Sequence, residues 1–154
     1  WGKDTATGTR AAPLLTIGKA IEKASPGAKD HVYVSAGSYP ERVTMRDGVS
    51  VFGGYAADES WDRDPAVHET AITSDTIDEA GAIRVVVAEG VVSETVLDGV
   101  TVLAANHPSA GSSSYGLWVK DCGQAFGVVR CRIIAGSVKS GAGRSSSAAD
   151  LPAA

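Results

Sequence analysis

The 154-residue chain predicts an all-β solenoid, a parallel β-helix of about three coils closed at one end by a short N-terminal α-helix. Three observations carry that fold class. Short alternating apolar runs recur from residue 31 to residue 134, rich in Val, Ile and Thr and separated by turn residues. Similar segments lie a few tens of residues apart, 83–87 against 117–119 and 96–102 against 129–134, the spacing at which one coil of a solenoid buries its face on the next. One stretch alone repeats at helical period.

Residues 1–12, with Thr5, Thr7, Gly8, Thr9 and Arg10, are polar and read as an extended lead-in. Pro13 opens the helical segment, 13–26, in which Leu14, Ile17, Ile21 and Ala24 fall on one stripe. Thr16 is the expected N-cap and Ser25-Pro26-Gly27 the stop. So short a helix does not persist alone. Its stripe has to cover something, and the nearest apolar surface is the end of the stack that begins at Val32.

Residues 31–55 hold three runs, 31–34, 42–45 and 49–52, read together as the first coil. Val32, Val34, Val43, Met45, Val49 and Val51 would face in; Tyr33, Arg42, Thr44, Arg46, Ser50 and Phe52 would face out. Gly48, Gly53, Gly54 and Gly99 suit tight corners. Residues 56–69 have no period and read as an inserted acidic surface loop. The β pattern resumes at 70–73, 82–87, 95–102, 115–119 and 128–134, with a second long loop at 104–114. Laying TVLDGVTV over VVRCRII puts Asp98 beside Arg130, Gly99 beside Cys131 and Thr101 beside Ile133. The domain would end near residue 136, followed by a Ser-, Gly- and Ala-rich tail, 137–154, expected to be flexible or weakly docked.

Composition narrows the class. Hydrophobic residues make up 44%, charged residues 21%, and the net charge is −4, which argues against a nucleic-acid footprint. The apolar runs fall far short of the roughly 18 residues a membrane helix needs. With Trp1 first, and neither a Met nor a signal peptide opening it, the chain reads as a processed or excised segment.

The segments PLLTIGKAIEKASPG, HVYVSAGSYPERV, GVSVFGGY and SETVLDGVTV resemble the N-terminal end of pectin-lyase-like right-handed parallel β-helix proteins. The matching residues are Thr16, Ile17, Ala20 and Ile21 in the capping helix, Val32, Tyr33, Val34, Gly37, Tyr39 and Glu41 after it, and Gly48, Val49, Gly53, Gly54 and Tyr55 at the next bend. The likeness implies the right hand of the coil. It implies no single activity, because this fold hosts lyases, hydrolases, adhesins and scaffolds.

Several side chains are candidates for chemistry. Tyr33, Phe52 and Trp118 fall on outward strand positions, where neighbouring aromatics would form a platform for sugar rings or be covered by the long loops. Asp58, Glu59, Asp62 and Asp64 offer dense oxygen ligands for Ca²⁺, although the spacing of a calcium loop is missing and solvated loop charges are the commoner case. Asp75, Asp78 and Glu79 would suit glycoside hydrolysis only if two carboxylates faced each other across a sugar; their turn-like setting favours local backbone bonding. Cys122 and Cys131 are small buried apolar residues, a disulfide pair, or less simply a metal or catalytic pair. His31, His68 and His107 form no ligand pattern, and no G-x-S-x-G is present.

The reading that fits these residues is a structural or surface module of an exported bacterial protein, not an enzyme. Its C-terminal coil end would meet further β-helix coils or a protein partner, because no second cap matches the first. A polysaccharide-binding or polysaccharide-degrading domain is the other reading.

Overall fold

Inward Val, Ile and Leu at alternate positions need a surface to close on, and parallel stacking supplies it on both sides of every strand. The computed structural model describes residues 2–25, 28, 30–58 and 60–139. Eleven strands follow one helix: β1 (His31–Ser35), β2 (Gly37–Pro40), β3 (Val43–Thr44), β4 (Ser50–Tyr55), β5 (Thr70–Ser74), β6 (Ala82–Glu89), β7 (Thr95–Asp98), β8 (Thr101–Ala104), β9 (Ser113–Lys120), β10 (Phe126–Val129) and β11 (Arg132–Ile134). They form three parallel sheets in the orders β1-β4-β7-β10, β2-β5-β8-β11 and β3-β6-β9. Each circuit of the chain visits all three sheets once. The result is the expected parallel β-helix, with three coils complete and a fourth begun by β10 and β11.

Columns of inward residues make the core. One runs Val32, Val51, Leu97, Val128 and another Tyr39, Ile72, Val102, Ile133. Val43 stacks on Val86 and Val86 on Leu117 in the third sheet. Each fully buried aliphatic side chain in such a column contributes about 1.5–3 kcal/mol relative to exposure.

The helix α1 spans Ile17–Lys23, shorter than the 13–26 segment expected. Its start is dictated by side chains from elsewhere. Asp4 accepts from the backbone N–H of Leu15 at 3.0 Å and of Thr16 at 2.9 Å, which holds Pro13, Leu14 and Leu15 off the helical path. Thr16 is the N-cap, as expected, and accepts from Lys19 N. Glu41 then takes the first-turn amides of Ile17 and Gly18 at 2.8 and 2.9 Å, tying the cap to the first coil. Ile17, Ile21 and Ala24 of the stripe are buried; Leu14 is not part of the helix. Pro26 and Gly27 of the expected stop lie outside the described residues. The lead-in is not simply extended. Lys3 N donates to Pro13 O, Gly8 N to Ala12 O, and Thr9 bridges Ala12 antiparallel, so it forms a folded strap over the helix start.

Two register expectations are corrected. The run 49–52 does not complete the first coil; β4 stacks on β1, pairing Val32 with Val51, and so opens the second. The missing strand of the first coil is β2, Gly37–Pro40, whose only large apolar residue is Tyr39. The later repeat is offset by one residue from the expected alignment: Leu97 pairs with Val128, Asp98 with Val129 and Thr101 with Arg132. One residue of slip exchanges inward for outward faces, so the burial of Leu97 and Val102 selects this register. Ser50, expected to face out, is buried and accepts from Val96 N at 2.9 Å, linking the second coil to the third.

Candidate functional site

The two ends of the stack differ. At the first coil, α1 lies over Val32 and Val34 and both are buried. At the other end nothing among the described residues covers β10 and β11. Leu97 and Val102 are 0% exposed, whereas their counterparts one coil on, Val128 and Ile133, are 42% and 40% exposed. Val129, Ile134 and Val138 are exposed beside them. β10 and β11 are also edge strands, each paired on one side only. Among the described residues, core positions at this end therefore lie exposed next to the backbone groups of edge strands.

A second cluster occupies the outer face of the first sheet. Tyr33 and Phe52 meet there with ring centroids 5.9 Å apart, His31 packs edge-on to Phe52 at 5.1 Å, and Tyr33 packs edge-on to Tyr55 at 5.4 Å. Trp61, from the acidic loop, stacks on Tyr55 at 5.3 Å. Trp118 is not among them. It lies on β9 in the third sheet, edge-on to Tyr115 at 5.1 Å and with the Arg84 guanidinium 4.3 Å from its ring centre. The structure therefore brings together two of the three expected aromatics and adds His31, Tyr55 and Trp61. Tyr55 ends a strand whose residues alternate out at Phe52; the intervening Gly53-Gly54 hid its side from the pattern.

The loop 56–69 is held to the stack by a charge cluster that strand periodicity did not reveal. Asp98 is buried at the end of β7. Arg130 grips it with two bonds, Nε to Oδ1 at 2.9 Å and Nη2 to Oδ2 at 2.5 Å. Arg63 Nη2 stands 3.0 Å from the same Oδ2, within ion-pair range but off the line of a hydrogen bond. Burial pushes the Asp98 carboxyl up, and the Arg130 bonds together with the Arg130 and Arg63 charges outweigh it, leaving it below the ordinary carboxylate value. Arg63 Nε donates to Gly53 O at 3.0 Å, and Tyr55 bridges Arg63 antiparallel. Gly99, at φ +70, has no room for a side chain: a Cβ there would lie 2.9 Å from Pro65 and 3.0 Å from Arg63 Nη2. The only sequence signal for this cluster was an Asp inside an otherwise aliphatic strand, followed by Gly.

Two carboxylates of the loop are engaged locally. Asp58 accepts from the Ser60 hydroxyl at 2.6 Å and Ser60 N at 2.9 Å, which holds its pKa low, and Asp64 accepts from Ala66 N at 3.0 Å. Asp62 is exposed and Glu59 lies outside the described residues. Among the described residues no three His, Cys, Asp or Glu side chains converge on a metal-sized site. Asp78 is likewise structural in its contacts: it accepts from Ala80 N and Ala82 N and pairs with Arg84 at 2.6 Å and Arg42 at 3.7 Å. Its pKa is lowered by the Ala82 bond first, against burial, and further by Arg84 and Arg42.

The family model described as "Protein of unknown function (DUF1565)" matches residues 1–146. The chain belongs to the DUF1565 family. No curated protein and no solved structure matches it. In this DUF1565 chain Cys122 and Cys131 are not joined to each other. Cys122 is buried after β9 and donates toward Ala88 O, whereas Cys131 sits at the corner between β10 and β11 and donates toward Leu97 O. Each thiol belongs to a different corner of the coil, and burial raises that of Cys131. No helix among the described residues is long and apolar enough to cross a membrane.

Proposed function

We propose that the chain is a structural module whose C-terminal coil end accepts a further β-coil, and that in solution a second copy of the chain occupies that end. The observation that carries this is the exposure of Val128 and Ile133, set against the complete burial of Leu97 and Val102 directly above them. The resemblance to pectin-lyase-like right-handed β-helices supports placing the module in an exported bacterial surface protein. Sedimentation velocity across a hundredfold concentration range tests the proposal. Self-association is expected, and Val128→Asp with Ile133→Asp should abolish it without altering the circular dichroism spectrum. A monomer at every concentration overturns it.

A polysaccharide-binding reading draws on a separate feature, the Tyr33, Phe52, Tyr55 and Trp61 patch, in which Tyr33 is 51% exposed. A glycan array with the Tyr33→Ala variant as control tests it: binding lost in the variant supports it, and no binding by the parent chain removes it.

A further inference from the structure

The groove opposite the open end has its own unfilled valence. Among the described residues β1 is the outermost strand of its sheet and pairs with β4 alone. Ser50 N donates to Asp30 O at 2.7 Å, which sets the phase of the ladder. In a parallel pair, alternate residues turn to the neighbouring strand, so Val32 bonds to β4 while His31 and Tyr33 point their N–H and C=O groups the other way. Among the described residues no hydrogen bond answers those groups.

A cleft of about 290 Å³ runs along that edge. All five residues of β1 line it on one side. Ile17, Ala20 and Ala24 line it on the other, and the strap residues 7–10 close one flank. Tyr33 and Trp61 stand at the rim. Among the described residues the charged groups in the lining are Arg10 and Lys23, beside the His31 imidazole, and no carboxylate accompanies them, although the chain as a whole carries −4. Asp30, 3.8 Å from His31 Nε2, lies outside the lining.

A free strand edge facing a helix across an apolar floor is the geometry in which an extended peptide adds to a sheet, its backbone supplying affinity and its alternate side chains specificity. We infer that this groove binds a short extended acidic peptide, which pairs its backbone with His31 and Tyr33 of β1. An aliphatic side chain of the peptide rests on Ala20, and an acidic one meets Lys23 and Arg10. The inference is independent of the open coil end, since the groove lies at the capped end of the stack.

The test is a titration of the ¹⁵N-labelled chain with acetyl-Thr-Val-Asp-Val-amide, followed by two-dimensional NMR. Saturable shifts are expected at His31, Tyr33, Ala20 and Lys23, with slower exchange of the Tyr33 amide. Methylating alternate peptide nitrogens removes two strand hydrogen bonds and should weaken binding by about tenfold or more. Replacing the peptide Asp by Lys should weaken it as well, and Lys23→Glu, an exposed change, should reverse that preference. Four results overturn the inference: no saturation by about 1 mM, equal binding of the methylated peptide, shifts that map elsewhere, or a Tyr33 amide already protected in the free chain. Oligogalacturonide shifting these resonances where the peptide does not overturns it too.

Discussion

Asp98→Ala removes the acceptor shared by two arginines and separates a buried contribution from an exposed one. The Asp98 side chain is 6% exposed, Arg63 22% and Arg130 58%. Breaking a buried pair by deleting one partner costs about 3–5 kcal/mol, because the other charge is left without compensation. Arg63 keeps its bond to Gly53 O and its position over Phe52 and Tyr55, so the lower end, about 3 kcal/mol, applies here. Arg130 is mostly in water, so Arg130→Ala should cost much less. With an m-value of about 1–3 kcal/mol/M in urea, Asp98→Ala should lower the midpoint by about 1–3 M and Arg130→Ala by much less. Asp98→Ala combined with Arg63→Ala should cost less than the sum of the single changes, since neither charge is then stranded. Equal costs for Asp98→Ala and Arg130→Ala, or a cost below about 1 kcal/mol for Asp98→Ala, would refute the assignment of the buried Asp98–Arg63 contact as the anchor of the loop.

Further outcomes follow from the same contacts. Arg130 sits at φ 49, so Arg130→Gly should be about 1 kcal/mol more stable than Arg130→Ala in the same urea titration. Glu41→Ala strips two amides of α1 of their acceptor and should cost about 1–2 kcal/mol, with the loss of protection confined by hydrogen exchange to residues 16–23. Asp98 and Asp78 titrate below the unfolded value of about 3.9, so their contribution is complete above that pH and lost as pH falls through their folded values. The urea midpoint should therefore hold from pH 7 to pH 5 and drop below about pH 4, with Asp98→Asn showing a shallower drop. Iodoacetamide applied to the unfolded chain without reductant should alkylate both cysteines, as free thiols require.

Alternation made most of the coil legible, because every inward residue expected between Val32 and Val51 is buried. What escaped was held by long-range polar contacts that leave no period. β2 carries no aliphatic residue, and the start of α1 depends on Asp4 and Glu41, which are 12 and 24 residues from the groups they bind. The repeat alignment slipped because Gly99 and Arg130 share a left-handed corner while their residue types share nothing. At the candidate sites, the strand pattern told outward from inward but not which sheet an outward residue decorates. Tyr33 and Phe52 are neighbours through β1 and β4, whereas Trp118 follows a different face of the same coil.

The open coil end is tested most directly by amide exchange of residues 126–134, compared with residues 95–103 one coil above, at low and high protein concentration. The account predicts that the free-edge amides of β10 and β11 exchange quickly when the chain is dilute and become protected as it associates. Protection already complete in the dilute chain, or fast exchange at every concentration, would contradict it.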